Sequence, residues 1–341
     1  MAITPSNWQP LIVQANTTIR EAWSWIPTEY QLYTTTVTMG GENGRSQWED
    51  AWTGRMPKMR LWSGPRVYNE PAPQTYVVTP EPFEDTYTLD RFRYDDDGFG
   101  VFYPLLLDLA EQTKLWPEYQ VRDLLEATGA WSSTQTQLGL DGIANWSTAH
   151  QTNVYALTTG TLAAGTAYAN DFTGGGVSIN GTTVGGAFSQ TAVGTIIEYM
   201  MTIRAEDGER FNLTPSHLMV PPTLRIEAEY VLNNMLTATN VAYTTWAPSA
   251  TQVGAVDNTI KRLGDALYVN KNLASSTKFY VMDNTKRVKP LRFIERDAPR
   301  ITPRVAEDDP VVFDLHQYVW GAWCRGAPAW SPAWLMMRSG P

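Results

Sequence analysis

The chain has 341 residues, 43 % of them hydrophobic, enough apolar material for two ordinary domains or one large domain with insertions. A formal net charge of −9, with a pI of about 4.9, argues against an open basic surface of the nucleic-acid-binding kind. The single cysteine, Cys324, excludes an internal disulfide framework and fits a reducing compartment; no apolar run approaches the ~20 residues that span a bilayer, and the N-terminal MAITPSNWQPLIVQ lacks the basic and apolar regions of a secretion signal.

Residues 1–30 read as an arm. Pro5, Pro10 and Pro27 punctuate it, and Leu11, Ala15, Ile19, Ala22 and Trp23 outline a short amphipathic helix. Residues 31–80 are strand-like and loop-rich. Residues 32–38 favour extended structure through their β-branched and aromatic side chains, residues 40–44 form a turn, and residues 76–79 form a further strand ended by Pro80 and Pro82. Pro57, Pro65, Pro71 and Pro73 prevent a continuous central sheet. The expectation is a long two-stranded excursion with little core of its own, which must lie on something else to be stable.

The rest of the chain is organised around residues 83–129. Tyr87, Leu89, Arg91 and Phe92 carry a strand into the acidic turn Asp95-Asp96-Asp97-Gly98. A long amphipathic helix follows, with Phe102, Leu105, Leu106 and Leu109 at helical spacing and Val121, Leu124 and Leu125 resuming the stripe. Asp96 or Asp97 is placed to cap its N-terminus and Gly129 to close its C-terminus. Pro117 must either kink one helix or begin a second.

Residues 130–187 are rich in Gly, Thr, Ser, Asn and Ala and read as short strands and loops, an ordered insertion. Thr173-Gly174-Gly175-Gly176 is not a phosphate loop, because no Gly-Lys-Ser/Thr follows. Residues 189–208 form a helix capped by Ser189, with Val193, Ile196, Ile197, Met200 and Met201 on one face and Glu206-Asp207-Gly208 at its end. Residues 218–220 are a short buried strand, Pro222 opens another helix bearing Leu224, Ala228, Val231, Leu232 and Met235, and residues 279–282 are a strand. Residues 286–304 are the most basic segment, with too little aromatic interleaving for base stacking. Residues 311–323 are apolar and partly alternating, and residues 334–337 form a last strand.

The residue types that carry chemistry are sparse. The three histidines, His150, His217 and His316, belong to no HExxH or Cys/His cluster. The aspartates at 95–97 lack the spacing of a calcium loop. No G-x-S-x-G surrounds a serine, and plentiful carboxylates in an acidic chain are no evidence for a glycosidase. Cys324 reads as a small buried hydrophobe. No catalytic residue, metal site or cofactor is assigned, and the chain is expected not to be an enzyme. Four sequons, at Asn16, Asn145, Asn180 and Asn212, are read as coincidental. The 14 tryptophans and 16 tyrosines suit subunit interfaces, a large aromatic core, or sugar stacking.

One set of fragments runs through the chain in a fixed order: Gly54-Arg55-Met56-Pro57, Leu61-Trp62-Ser63-Gly64, Phe83-Glu84-Asp85-Thr86, Asp95-Asp96-Asp97-Gly98 and Leu124-Leu125. Next come Asp141-Gly142 with His150, then Leu213-Thr214-Pro215-Ser216-His217 with Val220-Pro221. The last are Lys289-Pro290-Leu291-Arg292-Phe293 with Glu295-Arg296, and Asp308-Asp309 before residues 311–323. In these the chain resembles the major head (capsid) protein of Mu-like tailed bacteriophages. The resemblance spans most of the chain but not residues 153–187 and 237–275.

It implies an α+β chain with the tailed-phage major capsid (Johnson, Hong Kong 97-type) fold. The implied order is an N-terminal arm (1–30), an extended loop (31–82), a peripheral domain with spine helix and insertion (83–187), an axial domain (188–300) and a return to the peripheral domain (301–341). It implies self-assembly into pentamers and hexamers of an icosahedral head, located in the virion and assembled in the host cytoplasm. The implied partners are further copies of the chain, a scaffolding protein, a portal, a decoration protein and non-specifically held double-stranded DNA, with no membrane. An acidic average suits such a container, since a shell that gripped its DNA would hinder its movement. No fused scaffolding domain is expected, so the scaffold would be separate, or removed before this numbering begins. Lys58 lies where some relatives cross-link, but no partner pattern accompanies it.

Charge adds an interface expectation. Arg55, Lys58, Arg60 and Arg66 make the loop basic, and Glu84, Asp85, Asp95, Asp96 and Asp97 make the following strand and turn acidic. The basic loop of one subunit is expected to dock over the acidic strand and spine of the next, setting register and association rate. The role of the basic residues 286–304 is left between DNA contact, a subunit contact and a lumen-facing loop. The rival functions are an encapsulin-like cargo compartment, which shares the fold, and a secreted tryptophan-rich carbohydrate-binding or hydrolytic protein.

Overall fold

The structure, a computed structural model, describes residues 17, 21, 23–39, 47–52, 59, 61–64, 74–96, 102–126, 139, 144–148, 150, 168–179, 182–205, 209–233, 236–242, 251–257, 267–306 and 308–341. Strands and helices are numbered along the chain. Two units emerge: Met1–Glu49, Val77–Gln135 and Leu291–Ala329 form the first, and Asp50–Tyr76, Thr136–Pro290 and Trp330–Pro341 the second.

The first unit is built on a four-stranded sheet in the order β1-β13-β14-β4. Its strands are β1 (Thr34–Thr38), β4 (Glu81–Asp90), β13 (Leu291–Arg304) and β14 (Gln317–Trp330). β1 runs parallel to β13, and β4 antiparallel to β14. A short helix, α1 (Arg91–Asp95), follows β4, and the long helix α2 (Phe102–Glu126) packs on the sheet. β14 shows the period-2 pattern of a half-buried strand: Tyr318, Trp320, Ala322 and Cys324 are buried while Val319, Gly321, Trp323 and Arg325 are half-buried. Tyr318, Trp320 and Ala322 share a core with Leu106, Leu109 and Ala110 of α2, Leu89 of β4 and Val312 of α5 (Pro310–Leu315). Further along α2, Trp116 lies between Phe83 at 4.8 Å and Phe293 at 5.6 Å between ring centroids.

Two prolines sit in α2. Pro104 occupies the first turn, where its missing N–H has no intrahelical partner to lose. Pro117 lies in the interior and removes a bond to the carbonyl of residue 113, yet the helix runs through it as one element. Leu109, Ala110, Val121 and Leu125 are buried on either side and hold the two halves in line.

The second unit has a five-stranded sheet in the order β11-β8-β12-β15-β5. Its strands are β5 (Asp171–Thr173), β8 (His217–Val220), β11 (Leu267–Val269), β12 (Phe279–Met282) and β15 (Met336–Gly340). Helix α3 (Gln190–Thr202) lays Ala192, Val193, Ile196 and Met200 into a core shared with Phe172, Leu218, Val220, Phe279, Val281 and Met337. Ser189 caps α3, its Oγ accepting from the Ala192 N–H at 3.1 Å. Helix α4 (Arg225–Asn233) adds Ala228 and Leu232, while β6 (Val177–Ile179) and β7 (Thr182–Val184) make a hairpin. Gly185 is held at φ +79° with its Cα so near Phe172 and the Ser339 hydroxyl that a Cβ would sit 2.4 Å from Phe172 Cβ. Two further two-stranded ladders are β2 (Trp48–Trp52) with β3 (Gln74–Val78), and β9 (Leu236–Ala242) with β10 (Thr251–Asp257).

Several expectations change. Residues 34–38 are not part of the two-stranded excursion: they add to the main sheet, because β13 offers them a parallel ladder. Residues 291–304 are a strand rather than a loop, and they belong with the first unit, not with 188–290. The final strand does not return to the first unit. β15 pairs with β12 on one side and β5 on the other, where Met336 and Met337 find an apolar sheet to complete. Residues 311–323 divide at His316, whose left-handed φ of 51° ends α5 and releases β14. Asp96 lies six residues before α2 begins; its N–H bonds the Phe92 carbonyl and closes α1 instead of capping the long helix. Asp97 and Gly129 lie outside the described residues. The described part of the N-terminal arm rests on its own unit: Lys114 Nζ donates to the Trp23 carbonyl, Glu118 accepts from the Glu29 N–H, and Tyr30 packs on Phe293.

Candidate subunit interface

Strand β4 ends the sheet order, so among the described residues one of its edges has no strand beside it. From residue 84 to residue 88 it is exposed on both faces. An exposed edge strand of this length is a template for pairing or docking. Its acidic pair is split by the pleat. Glu84 sits opposite Trp323, on the face away from α2, and Asp85 opposite Ala322, on the helix side. Glu84 accepts from Thr86 Oγ1 at 3.0 Å, and Asp90 accepts from the Arg93 N–H at 3.1 Å. Asp96 is exposed beyond α1, and Asp95 ends that helix. Arg55, Lys58, Arg60, Arg66 and Asp97 lie outside the described residues, so the basic half of the expected pairing has no geometry here.

On α2, Asp108 and Glu111 are exposed, as are Leu105 and Gln112. Exposed large apolar side chains flank the same region. Phe92, Phe313 and Leu315 are 60 %, 74 % and 60 % accessible, and the Phe92 ring packs on His316 at 5.4 Å. In the second unit, Ile226 and Tyr230 stand one turn apart on α4, both exposed.

Sequence reasoning missed the opposite face of the first-unit sheet. There Arg300 stacks over Trp323 at 3.7 Å, Arg292 over Trp48 at 5.0 Å, and Arg325 Nε donates to the Pro80 carbonyl at 3.2 Å. Arg304 makes a two-pronged pair with Asp309 at 2.8 and 2.9 Å. That hydrogen-bonded guanidinium, with the Val311 N–H, holds the Asp309 carboxyl below the usual range. The signal was present in the spacing, since the arginines of residues 291–304 all have even numbers.

His150 belongs to a structural knot. It is buried, and its Nε2–H reaches the Asn145 carbonyl at 2.9 Å and Asn170 Oδ1 at 3.1 Å. Its backbone pairs with Tyr168, whose ring it stacks on at 5.0 Å. Asn170 Oδ1 also accepts from the Ser147 N–H, so Asn145, Ser147 and His150 are pinned beside β5. Arg338 then ties β15 to β5 through Asp171 at 2.5 Å and lies over Trp146. Asn145 is 3 % accessible, which rules out its sequon as a glycan acceptor in the folded chain.

Among the described residues no group of three His, Cys, Asp or Glu side chains is placed to hold a metal ion, and none of the helices is long and apolar enough to cross a membrane. Burial pushes the Cys324 thiol up to about 12, so the nucleophilic thiolate is suppressed.

The architecture has a solved counterpart. A chain of the procapsid of bacteriophage JBD30 superposes with a TM-score of 0.50 over 99 % of this chain and 76 % of that one, at 22 % identity. The fold is thus the α+β fold of tailed-phage major capsid proteins. Residues 123–333 match the phage capsid protein family and residues 9–177 match the Mu-like prophage major head subunit gpT. The chain belongs to the phage capsid protein family. The major capsid protein of Escherichia phage Mu is 20 % identical over 125 residues, which cover 37 % of this chain and 40 % of the Mu protein. The alignment therefore spans less than half of that relative's length.

Proposed function

We propose that this chain is a shell subunit that assembles into pentamers and hexamers of an icosahedral phage head enclosing double-stranded DNA. It is a structural protein without catalytic activity, assembled in the host cytoplasm and carried in the virion. The observation that carries the reading is β4: residues 84–88 form an edge strand exposed on both faces in a family of capsid proteins. Copies that cover one another's edges heterologously form closed rings when the rotation closes, here of five and six.

In this reading the first unit is the peripheral domain with α2 as its spine, and the second, including residues 330–341, is the axial domain. The arm is the part of the chain before Trp23, and the extended loop is centred on β2 and β3. The basic side chains Arg55, Lys58, Arg60 and Arg66 of that loop dock on a neighbouring copy. Their acidic target is the helix-side surface formed by Asp85, Asp96, Asp108 and Glu111 rather than Glu84, which shares its face with arginines. A separate scaffolding protein, a portal and a decoration protein complete the set of partners.

Sedimentation velocity tests the assembly. With its scaffold co-expressed, the chain should sediment as a uniform particle of megadalton mass. A boundary that stays at the 38.2 kDa monomer under all such conditions contradicts the reading.

A further inference from the structure

In sequence, residues 291–304, LRFIERDAPRITPR, look like a mixture of charges. As a strand they are sorted. The odd-numbered side chains of β13 turn to α2: Phe293 meets Trp116, and Ile301 packs on the core beneath the helix. The strand's two acids, Glu295 and Asp297, are odd-numbered. All four arginines, Arg292, Arg296, Arg300 and Arg304, are even-numbered, so the pleat gathers them on the opposite face. The same face receives Trp323 and Arg325 from β14 and Glu84 and Asp90 from β4. A strongly basic face therefore exists on a chain whose net charge is −9.

The face has a covered end and an open end. Arg292 lies against Trp48, and Ile294 beside it is fully buried. Beyond them Ala298, Arg300, Thr302 and Arg304 are exposed. Arg300 stacks on Trp323, an arrangement that orients the guanidinium without neutralising it. Arg304 is held by Asp309 in a two-pronged pair and offers an incoming anion its remaining N–H donors. At a rise of about 3.3 Å per residue, arginines four apart lie about 13 Å from one another, so the exposed Arg300 and Arg304 span about 13 Å, with the half-buried Arg296 about 13 Å further along. That is the length of a polymer backbone, not of a single phosphate. Arginine also grips phosphate oxygens two at a time, and such contacts carry no base sequence.

We propose that this open arginine row contacts the phosphate backbone of packaged double-stranded DNA, which turns the arginine-bearing face of the four-stranded sheet toward the lumen. The proposal rests on the capsid reading above and names one partner surface within it. It also explains how an acidic chain holds DNA without gripping it: the contact is confined to one row while the rest of the chain repels.

The test uses the purified full chain and a short DNA duplex of random sequence, with binding followed by fluorescence anisotropy across a salt series. Removing one arginine–phosphate pairing lowers the slope of log affinity against log salt by about 0.9. Arg300→Gln with Arg304→Gln should reduce the slope by about two. A control with equal charge removed from the same basic segment, Arg287→Gln with Lys289→Gln, should leave it near the parental value. Arg300→Gln alone disturbs only the Trp323 stack and should lower the slope by about one, which keeps the test sound if the double variant folds poorly. Parental slopes in the arginine variants, or an equal fall in the control, overturn the proposal. So does competition by polyglutamate as strong as by DNA of equal charge, which would make the row a seat for an acidic protein segment. Electron microscopy of the same preparations reads shell formation separately. Normal shells with unchanged slopes sink the DNA surface alone, whereas an unassembled parent sinks the capsid reading.

Discussion

Trp116 is the point at which the long helix and the sheet of the first unit are most directly joined. Its ring lies 4.8 Å from Phe83 of β4 and 5.6 Å from Phe293 of β13, so one side chain of α2 contacts two strands. Trp116→Ala removes both aromatic contacts and leaves a gap that the pleated strands cannot close. Substitutions of this kind cost about 3–5 kcal/mol in a core. Trp116 is half-buried rather than fully buried, which places the expectation near 3 kcal/mol. The indole Nε1–H is buried with no hydrogen-bond partner among the described residues. Trp116→Phe therefore keeps most of the ring contact and discards an unsatisfied donor, and should cost less than about 1.5 kcal/mol. Urea unfolding of the unassembled chain, followed by tryptophan fluorescence and by hydrogen exchange of α2 and β13, measures both variants. A destabilisation below about 1 kcal/mol for the alanine variant, or equal effects for the two, would refute the view that this stack joins helix and sheet.

Three other outcomes are expected. Burial alone would raise the Asp171 carboxyl, but Arg338 and the two donors of Thr173 outweigh it and hold the carboxyl below its ordinary value. A depressed carboxylate gives stability that is present above the unfolded pKa of about 3.9 and lost as pH falls through the folded value. The second unit should thus weaken below about pH 4, and Asp171→Asn should remove that part of the acid sensitivity; an unchanged acid profile in the variant contradicts the assignment. Cys324, with its thiol pushed up to about 12, should react with a disulfide reagent only after denaturation, and rapid labelling of the native chain would show that β14 is not packed as described. Replacing Arg55, Lys58 and Arg60 by Glu should lower particle yield at physiological salt, and a normal yield would remove the basic loop from the assembly contacts.

Local signals in the sequence were legible where local physics decides. Ser189 caps α3 as its position before an apolar stripe implies, and residues 279–282 are the strand that four apolar residues between turns suggest. The long helix was visible from its stripe, but its start was not. The aspartates stood where a cap was expected, yet α1 intervenes and takes Asp96 for its own last turn. Pairing between distant segments was the least legible. β1 finds its partner in β13, and β15 in β12 and β5, choices set by which sheet has an open edge. Which face each charge of the candidate interface takes was not legible from a count along the chain. The pleat sends Glu84 and Asp85 to opposite faces and collects the arginines of β13 on one. Reading residues 291–304 with a period of two would have shown that row. It needed the knowledge that the segment is a strand, which Pro299 and Pro303 argue against locally.

The central claim is that copies of this chain build a closed shell around DNA. Electron microscopy of particles from cells expressing the chain with its scaffold, with the nucleic-acid absorbance ratio measured on the same fraction, tests it most directly. Uniform icosahedral shells, filled with nucleic acid when the packaging machinery is present, are the expected result. Shells that carry protein cargo and no nucleic acid would point to a compartment instead, and a stable folded monomer that never assembles would contradict the account.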